Sequence, residues 1–273
     1  MPVTSTNTTL RTFDGLRLVG TLVMPDEQPN QAAVLVHGGG VTREEGGFFT
    51  RLAAGLGEGG VANLRYDLRG HGESDGRQEE TTLTAHLNDI RVAITYVQQA
   101  SGTSTASLIG ASFGGGLCAY YAAKRPDELA RLVLLNPQLN YKDRYVDQKP
   151  HWSGDFLDDE MAAHLRQHGF VPHSPTVKHG RATLNEVFWI RPNEVLAEII
   201  APTLIVHGTE DTFVSVDASR QAAQQLRAEH RLVEIDGAQH GFAVHEDPEY
   251  RNPQSQEWQA LVIRTVTGWL AAA

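Results

Sequence analysis

The fold turns on the stretch Ala106-Ser107-Leu108-Ile109-Gly110-Ala111-Ser112-Phe113-Gly114-Gly115-Gly116. Ala106–Ile109 reads as a short strand, and Gly115–Lys124 reads as a helix. Between them, Gly110-Ala111-Ser112-Phe113-Gly114 fits the pattern G-x-S-x-G in the strand-turn-helix setting that this pattern requires. So abrupt a turn leaves no room for large neighbours two positions either side of the serine. The strain lifts the hydroxyl outward, and the amides opening the helix favour developing negative charge there. The same residues could otherwise serve only as a small-residue packing turn.

Upstream, Thr8–Phe13 and Leu16–Met24 are β-rich and flank Asp14-Gly15, a hairpin signal. Ala32–His37, a nearly continuous apolar run, reads as a strand buried on both faces, and Val61–Tyr66 is the next strand. Phe48–Glu58 has helical spacing, and Leu83–Gln99 puts Leu83, Leu87, Ile90, Ile94 and Val97 on one helical face. Downstream, Leu132–Leu135 is a further buried strand. The rhythm then stops from residue 138 to residue 191, a polar and aromatic stretch with one clear short helix near Asp158–His168. Strands are expected again at Thr203–His207 and Arg231–Ile235, and helices at Val216–Ala228 and Ser255–Leu270. Strands alternating with helices predict an α/β fold whose central sheet is mostly parallel, with helices on both faces. Residues 1–137 and 192–273 then form one core domain. Residues 138–191 are an insertion after the sixth strand, expected to act as a cap.

Composition narrows the function. The chain has 273 residues, 41% hydrophobic and 21% charged, enough for one domain with a sizeable core. A net charge of −10 disfavours nucleic acid and anionic membrane as partners. The single cysteine, Cys118, excludes an intramolecular disulfide and a cysteine-rich zinc site. It also fits a cytoplasmic location. No histidine–carboxylate spacing suggests a metal, and residues 1–7 lack the pattern of a signal peptide.

A serine hydroxyl at neutral pH needs a base, and the base needs an orienting acid. In a strand-turn-helix serine arrangement the chain order is serine, acid, histidine. Asp211, in His207-Gly208-Thr209-Glu210-Asp211, and His240, in Gly237-Ala238-Gln239-His240-Gly241-Phe242, each follow a predicted strand. Such positions face ligands at the carboxyl edge of a parallel sheet. Glu210 and Asp217 compete with Asp211, and His207 and His245 compete with His240. The oxyanion needs two amides, one from Phe113 after the serine and one from His37-Gly38-Gly39-Gly40, where Gly39 is favoured. Asp67–Gly76 is expected to form a structural charge network near the same face. Tyr141, Tyr145, Trp152, Phe156, Phe170, Phe188 and Trp189 concentrate in the insertion. They are candidates for lining a substrate pocket, or for the insertion's own small core.

These motifs together resemble the α/β-hydrolases over nearly the whole chain. The matching pieces are His37-Gly38, Tyr66-Asp67, Gly70-His71-Gly72, Ser74-Asp75-Gly76, the serine turn, His207–Thr212 with Val214-Ser215, and Gly237–His240 with Phe242. Within that superfamily the chain is similar to small bacterial feruloyl (cinnamoyl) esterases and related carboxylesterases. It departs from them at Gly39, where they often carry a bulky residue, and at Phe113, where a polar residue is usual. The resemblance implies cofactor-free hydrolysis of a small-molecule ester through an acyl-enzyme on Ser112, beneath a cap. The same machinery also serves thioesterases, acyltransferases and peptidases, and a scaffold of this kind can be a non-catalytic binder. A homodimer is left open.

Overall fold

The computed structural model describes residues 2–247 and 249–272. The chain opens with an antiparallel hairpin of β1 (Val3–Arg11) and β2 (Arg17–Pro25). Gly15 takes φ +91° in the connecting turn, a region open to glycine. There follow β3 (Gln31–Val36), α1 (Phe48–Glu58), β4 (Val61–Tyr66), α2 (Leu83–Ser101), β5 (Ala106–Ala111), α3 (Ser112–Lys124) and β6 (Leu129–Leu135). After an intervening segment come β11 (Thr203–Gly208), α6 (Val216–Gln225), β12 (His230–Ile235) and α7 (Pro253–Ala271). The strands form one eight-stranded sheet in the order β1-β2-β4-β3-β5-β6-β11-β12. Only the pairings of β2 with β1 and with β4 are antiparallel.

The continuous apolar strands are explained by the two layers they divide. In β3, Ala32, Val34 and Val36 face one core while Ala33 and Leu35 face the other. In β6, Leu132 and Leu134 oppose Val133 and Leu135 in the same way. Side chains alternate across a strand, so a strand covered on both faces reads as a nearly continuous apolar run. The helices α2 and α3 cover the first core, through Ile90, Ile94, Leu117 and Cys118. The helices α1 and α7 cover the second, through Phe49, Leu52, Val262 and Val266.

Residues between β6 and β11 are more regular than the sequence suggests. A π turn over Asp143–Asp147 leads to the hairpin of β7 (Trp152–Ser153) and β8 (Phe156–Leu157). Then come α4 (Asp159–His168), the hairpin of β9 (Phe170–Ser174) and β10 (Val177–Gly180), and α5 (Arg181–Glu186). The helix expected near Asp158–His168 is α4. It is capped by the Asp158 side chain, which accepts from the Met161 amide, and closed by Gly169 at φ +83°. The two hairpins and α5 were not expected. Strands of two to five residues, one holding Pro172, are too short to show an alternating pattern.

Candidate active site

Ser112 opens α3 with φ +48°, a left-handed conformation rare for a side-chain-bearing residue. The flanking glycines make this turn feasible. A Cβ on Gly110 would lie 2.5 Å from the Gly114 carbonyl oxygen, and one on Gly114 would lie 2.3 Å from that of Val36. Both contacts are with backbone, so neither can be relieved by a rotamer change. The elbow is held from outside as well: the Gln138 amide donates to the Ser112 carbonyl at 2.9 Å. The Tyr141 hydroxyl donates to the Phe113 carbonyl at 2.6 Å.

The β3 loop passes directly over the serine. A Cβ on Gly38 would stand 3.4 Å from Ser112 Cβ, and one on Gly39 would stand 3.7 Å from Phe113 Cβ. The amides of Gly39 and Phe113 thus lie on neighbouring backbone segments. Phe113 is in the first turn of α3, where helix amides have no intrahelical acceptor. His37 fixes the loop's orientation. Its Nε2 accepts from the Leu68 amide at 2.9 Å, which leaves Nδ1–H to donate to the Gly38 carbonyl at 2.7 Å. Burial and the neighbouring His71 press the His37 imidazole down to about 3, so it stays neutral and holds this tautomer.

Asp211 and His240 come from the loops after β11 and β12. His240 Nδ1 lies 2.6 Å from Asp211 Oδ2. The other carboxylate oxygen accepts from the amides of Phe213, at 2.8 Å, and Val214, at 2.9 Å. Burial alone would raise the Asp211 carboxyl. Hydrogen bonds from His207 and His240, the charge of His240 and the Val214 amide outweigh burial and hold it well below the usual carboxylate range. Asp211 is therefore an anion that fixes the His240 ring with Nδ1 protonated, leaving Nε2 as the basic nitrogen. The two loops meet closely, since a Cβ on Gly208 would lie 2.3 Å from the Ala238 carbonyl oxygen.

The competing residues are engaged or distant. Glu210 and His245 are exposed. Asp217 is paired with Arg220. His207 is fully buried, with Nδ1 at 2.7 Å from Ser219 Oγ and Nε2 at 2.9 Å from the Val214 carbonyl. It anchors the loop that carries Asp211. Ser112, Phe113, Gly39 and His240 line one cavity of about 220 Å³ at the carboxyl edge of the sheet.

Two family models divide the chain between them. The model described as serine aminopeptidase, S33, matches residues 27–161, and that of the dienelactone hydrolase family matches residues 160–272. A monoacylglycerol lipase from Mycolicibacterium smegmatis is 26% identical over 94% of this chain and 94% of its own length. A bifunctional esterase/perhydrolase from Acinetobacter calcoaceticus is 27% identical over 68% of this chain and 78% of its own. The structure of Est1E from Butyrivibrio proteoclasticus with ferulic acid bound superimposes with a TM-score of 0.75. That match has 24% identity and covers 95% of this chain and 99% of Est1E. The chain has the α/β-hydrolase fold and is similar over nearly its whole length to esterases and lipases of that fold.

The hydrolase departs from the expected pocket lining. Of the aromatic candidates, Tyr145 lines the cavity beside Ser112. Tyr141 does not: it is fully buried and packs on Gly116, whose missing Cβ would lie 2.4 Å from the tyrosine oxygen. Trp152 and Phe188 pack on each other at 6.2 Å and against the core beneath. Trp189 is 85% exposed, and Phe156 is exposed too. Phe170 borders a separate surface hollow with Pro172 and Lys178. Of these aromatic residues, Trp152 alone packs against the insertion's own small cluster of Leu165, Val171 and Leu184, while Tyr141 and Phe188 serve the main core.

Several lining residues escaped the sequence reading: Gln138, Arg144, Thr176, Val177 and Phe213. Phe213 could have been suspected from its place two residues after Asp211; its ring lies 5.4 Å from that of His240. Glu45 was also missed. It sits in the loop after β3 at φ +46°, and its Oε2 accepts from the Gly38 amide at 2.9 Å. Burial pushes its carboxyl up to about 7, against the opposing pull of the Gly38 amide and of nearby His240. Asp67–Gly76 forms a dense network. Buried Asp67 accepts from the amides of Arg43, at 2.7 Å, and Glu73, at 2.9 Å, and Arg69 bridges Asp89 and Asp14. Among the described residues no group of three histidine, cysteine or acidic side chains is placed to hold a metal ion. None of their helices is long and apolar enough to cross a membrane.

Proposed function

We propose that this hydrolase is a serine-dependent carboxylic ester hydrolase acting through an acyl-enzyme. The reading rests on one observation: a strained, outward Ser112 shares a cavity with His240, whose ring is fixed by a buried anionic Asp211. In this reading His240 Nε2 takes the serine proton as Oγ attacks the ester carbonyl. The amides of Gly39 and Phe113 take up the oxyanion charge, and Asp211 stabilises the imidazolium. His240 then protonates the departing alcohol. Water repeats the sequence and releases the acid, so no cofactor is consumed. Relatives named as lipases and esterases favour an ester over an amide. The aromatic acid bound in Est1E favours feruloyl-type acyl groups among those to be tried.

The test is hydrolysis of 4-nitrophenyl esters and methyl hydroxycinnamates by the wild type and by Ser112→Ala. Turnover lost in the variant, with an unchanged melting temperature, supports the reading. Turnover retained in the variant overturns the nucleophile. If the wild type turns over none of these esters, the ester assignment falls and thioesters are tried next.

A further inference from the structure

The cavity beside Ser112 holds a cation without an ion-pair partner among the described residues. Its lining includes no aspartate or glutamate among the described residues, and one permanently charged side chain, Arg144, on the π turn over Asp143–Asp147. Arg144 is half-buried, and its guanidinium makes no ion pair or hydrogen bond among the described residues. The nearby carboxylates are engaged elsewhere. Asp147 pairs with Lys142, Asp143 accepts from the Gln148 side-chain amide at 2.6 Å, and Asp217 pairs with Arg220. More positive charge lies behind it. Burial and then Arg144 lower the Lys149 ammonium. Burial, Lys149 and Arg144 together press His173, also on the cavity wall, down to about 4.

A half-buried arginine with no counter-ion among the described residues is free to pair with a bound anion. Its planar fork matches a carboxylate in two parallel hydrogen bonds. The hydroxyl side chains of Ser174 and Thr176, on the same wall, offer further donors. The contrast with the whole molecule is informative, because a chain of net charge −10 repels anions in general. A cationic site inside the cavity therefore selects rather than merely attracts.

We propose that Arg144 is a carboxylate-recognition residue of this cavity. The preferred substrates are then esters bearing a free carboxylate, on either the acyl or the alcohol side. This rests on the ester-hydrolase reading above. The test compares the wild type with Arg144→Gln and Arg144→Lys on four esters. 4-Nitrophenyl hemiglutarate carries the charge on the acyl side and carboxymethyl butyrate on the alcohol side; 4-nitrophenyl butyrate and methyl butyrate are neutral controls. Arg144→Gln is expected to lower kcat/KM for one charged ester by about 10- to 100-fold, mainly through KM. The neutral esters should stay within about twofold. Arg144→Lys should recover part of the loss, and the charged ester affected names the side. Glutarate should inhibit neutral-ester hydrolysis in the wild type and about tenfold more weakly in Arg144→Lys, a readout that stands if Arg144→Gln does not fold. Equal changes on charged and neutral esters, or a wild type that prefers the neutral ones, would overturn the inference and leave Ser112 catalysis standing. Neutral-ester turnover that survives Ser112→Ala would instead overturn the reading beneath it.

Discussion

On one wall of the cavity, the groups assigned to chemistry sit within a few residues of a strand's carboxyl end. Gly39 follows β3, Ser112 follows β5, Asp211 follows β11 and His240 follows β12. On the opposite wall, Arg144, Tyr145, His173 and Thr176 hang from a π turn and a short hairpin of the segment between β6 and β11. The first wall is tied to the sheet by backbone contacts that no side chain could relax. The hairpin of the second rests on a cluster of few apolar residues, Leu165, Val171 and Leu184, with Trp152, Leu157 and Met161 beside it, while its π turn joins the main core through Tyr145 and Val146. Rigid elements suit groups that must hold a transition state within a fraction of an ångström, whereas loops on such a scaffold suit the choice of ligand.

That contrast predicts a gradient of effects. Ser112→Ala should lower kcat by about 10⁴-fold or more, measured by active-site-titrated turnover, since removal of a nucleophile costs most of the triad's contribution. Asp211→Asn should follow with about 10³- to 10⁴-fold, because the neutral amide no longer fixes the His240 tautomer. If Asp211→Asn costs less than tenfold, Glu210 or Asp217 deserves the orienting role. On the far wall, Arg144→Gln should act on charged esters alone, as set out above.

Glu45 tests the boundary between the walls. Its carboxyl, raised to about 7, is mostly protonated at pH 5.5 and mostly ionised at pH 8.5. Only the ionised form stabilises a protonated His240 during attack. Glu45→Gln should therefore leave kcat/KM unchanged at pH 5.5 and lower it about three- to tenfold at pH 8.5, as read from the pH profile. A loss independent of pH would mean that the residue matters only as a support for the Gly38 amide. The smallest effect belongs to Trp189→Ala, whose exposed ring should leave turnover of small esters within about twofold. A larger change would mean that this tryptophan reaches the substrate after all.

The same division governs what the sequence could reveal. Strands such as β3 and β11 are buried on both faces and carry apolar runs, Ala32–Val36 and Leu204–Val206, so their positions are plain in the chain. The serine turn has a fixed glycine spacing because its neighbours are backbone. The loops after β11 and β12 carry Asp211 and His240 at legible places for the same reason. In the segment over residues 138–191 an aromatic residue packs equally well into a local core or a pocket, and composition does not separate the two. Tyr141 and Tyr145 are four residues apart and stack at 5.9 Å, yet one buttresses α3 and the other lines the cavity. Arg144 and Glu45 left no motif, because a single charge gains meaning only from which partners it lacks or meets in space.

Cys118 lies on the buried side of α3, with no exposed surface and with burial pushing its thiol far above the usual range. A thiol in that state is almost never a thiolate and cannot meet a reagent, so it gives no background in a labelling experiment. The native chain is thus ready for site-directed spectroscopy without first removing a cysteine. A single cysteine placed at Trp189 or Ser174 would carry the only reactive label, and its fluorescence or spin spectrum would report how far the π-turn and hairpin wall shifts when an acyl group occupies Ser112.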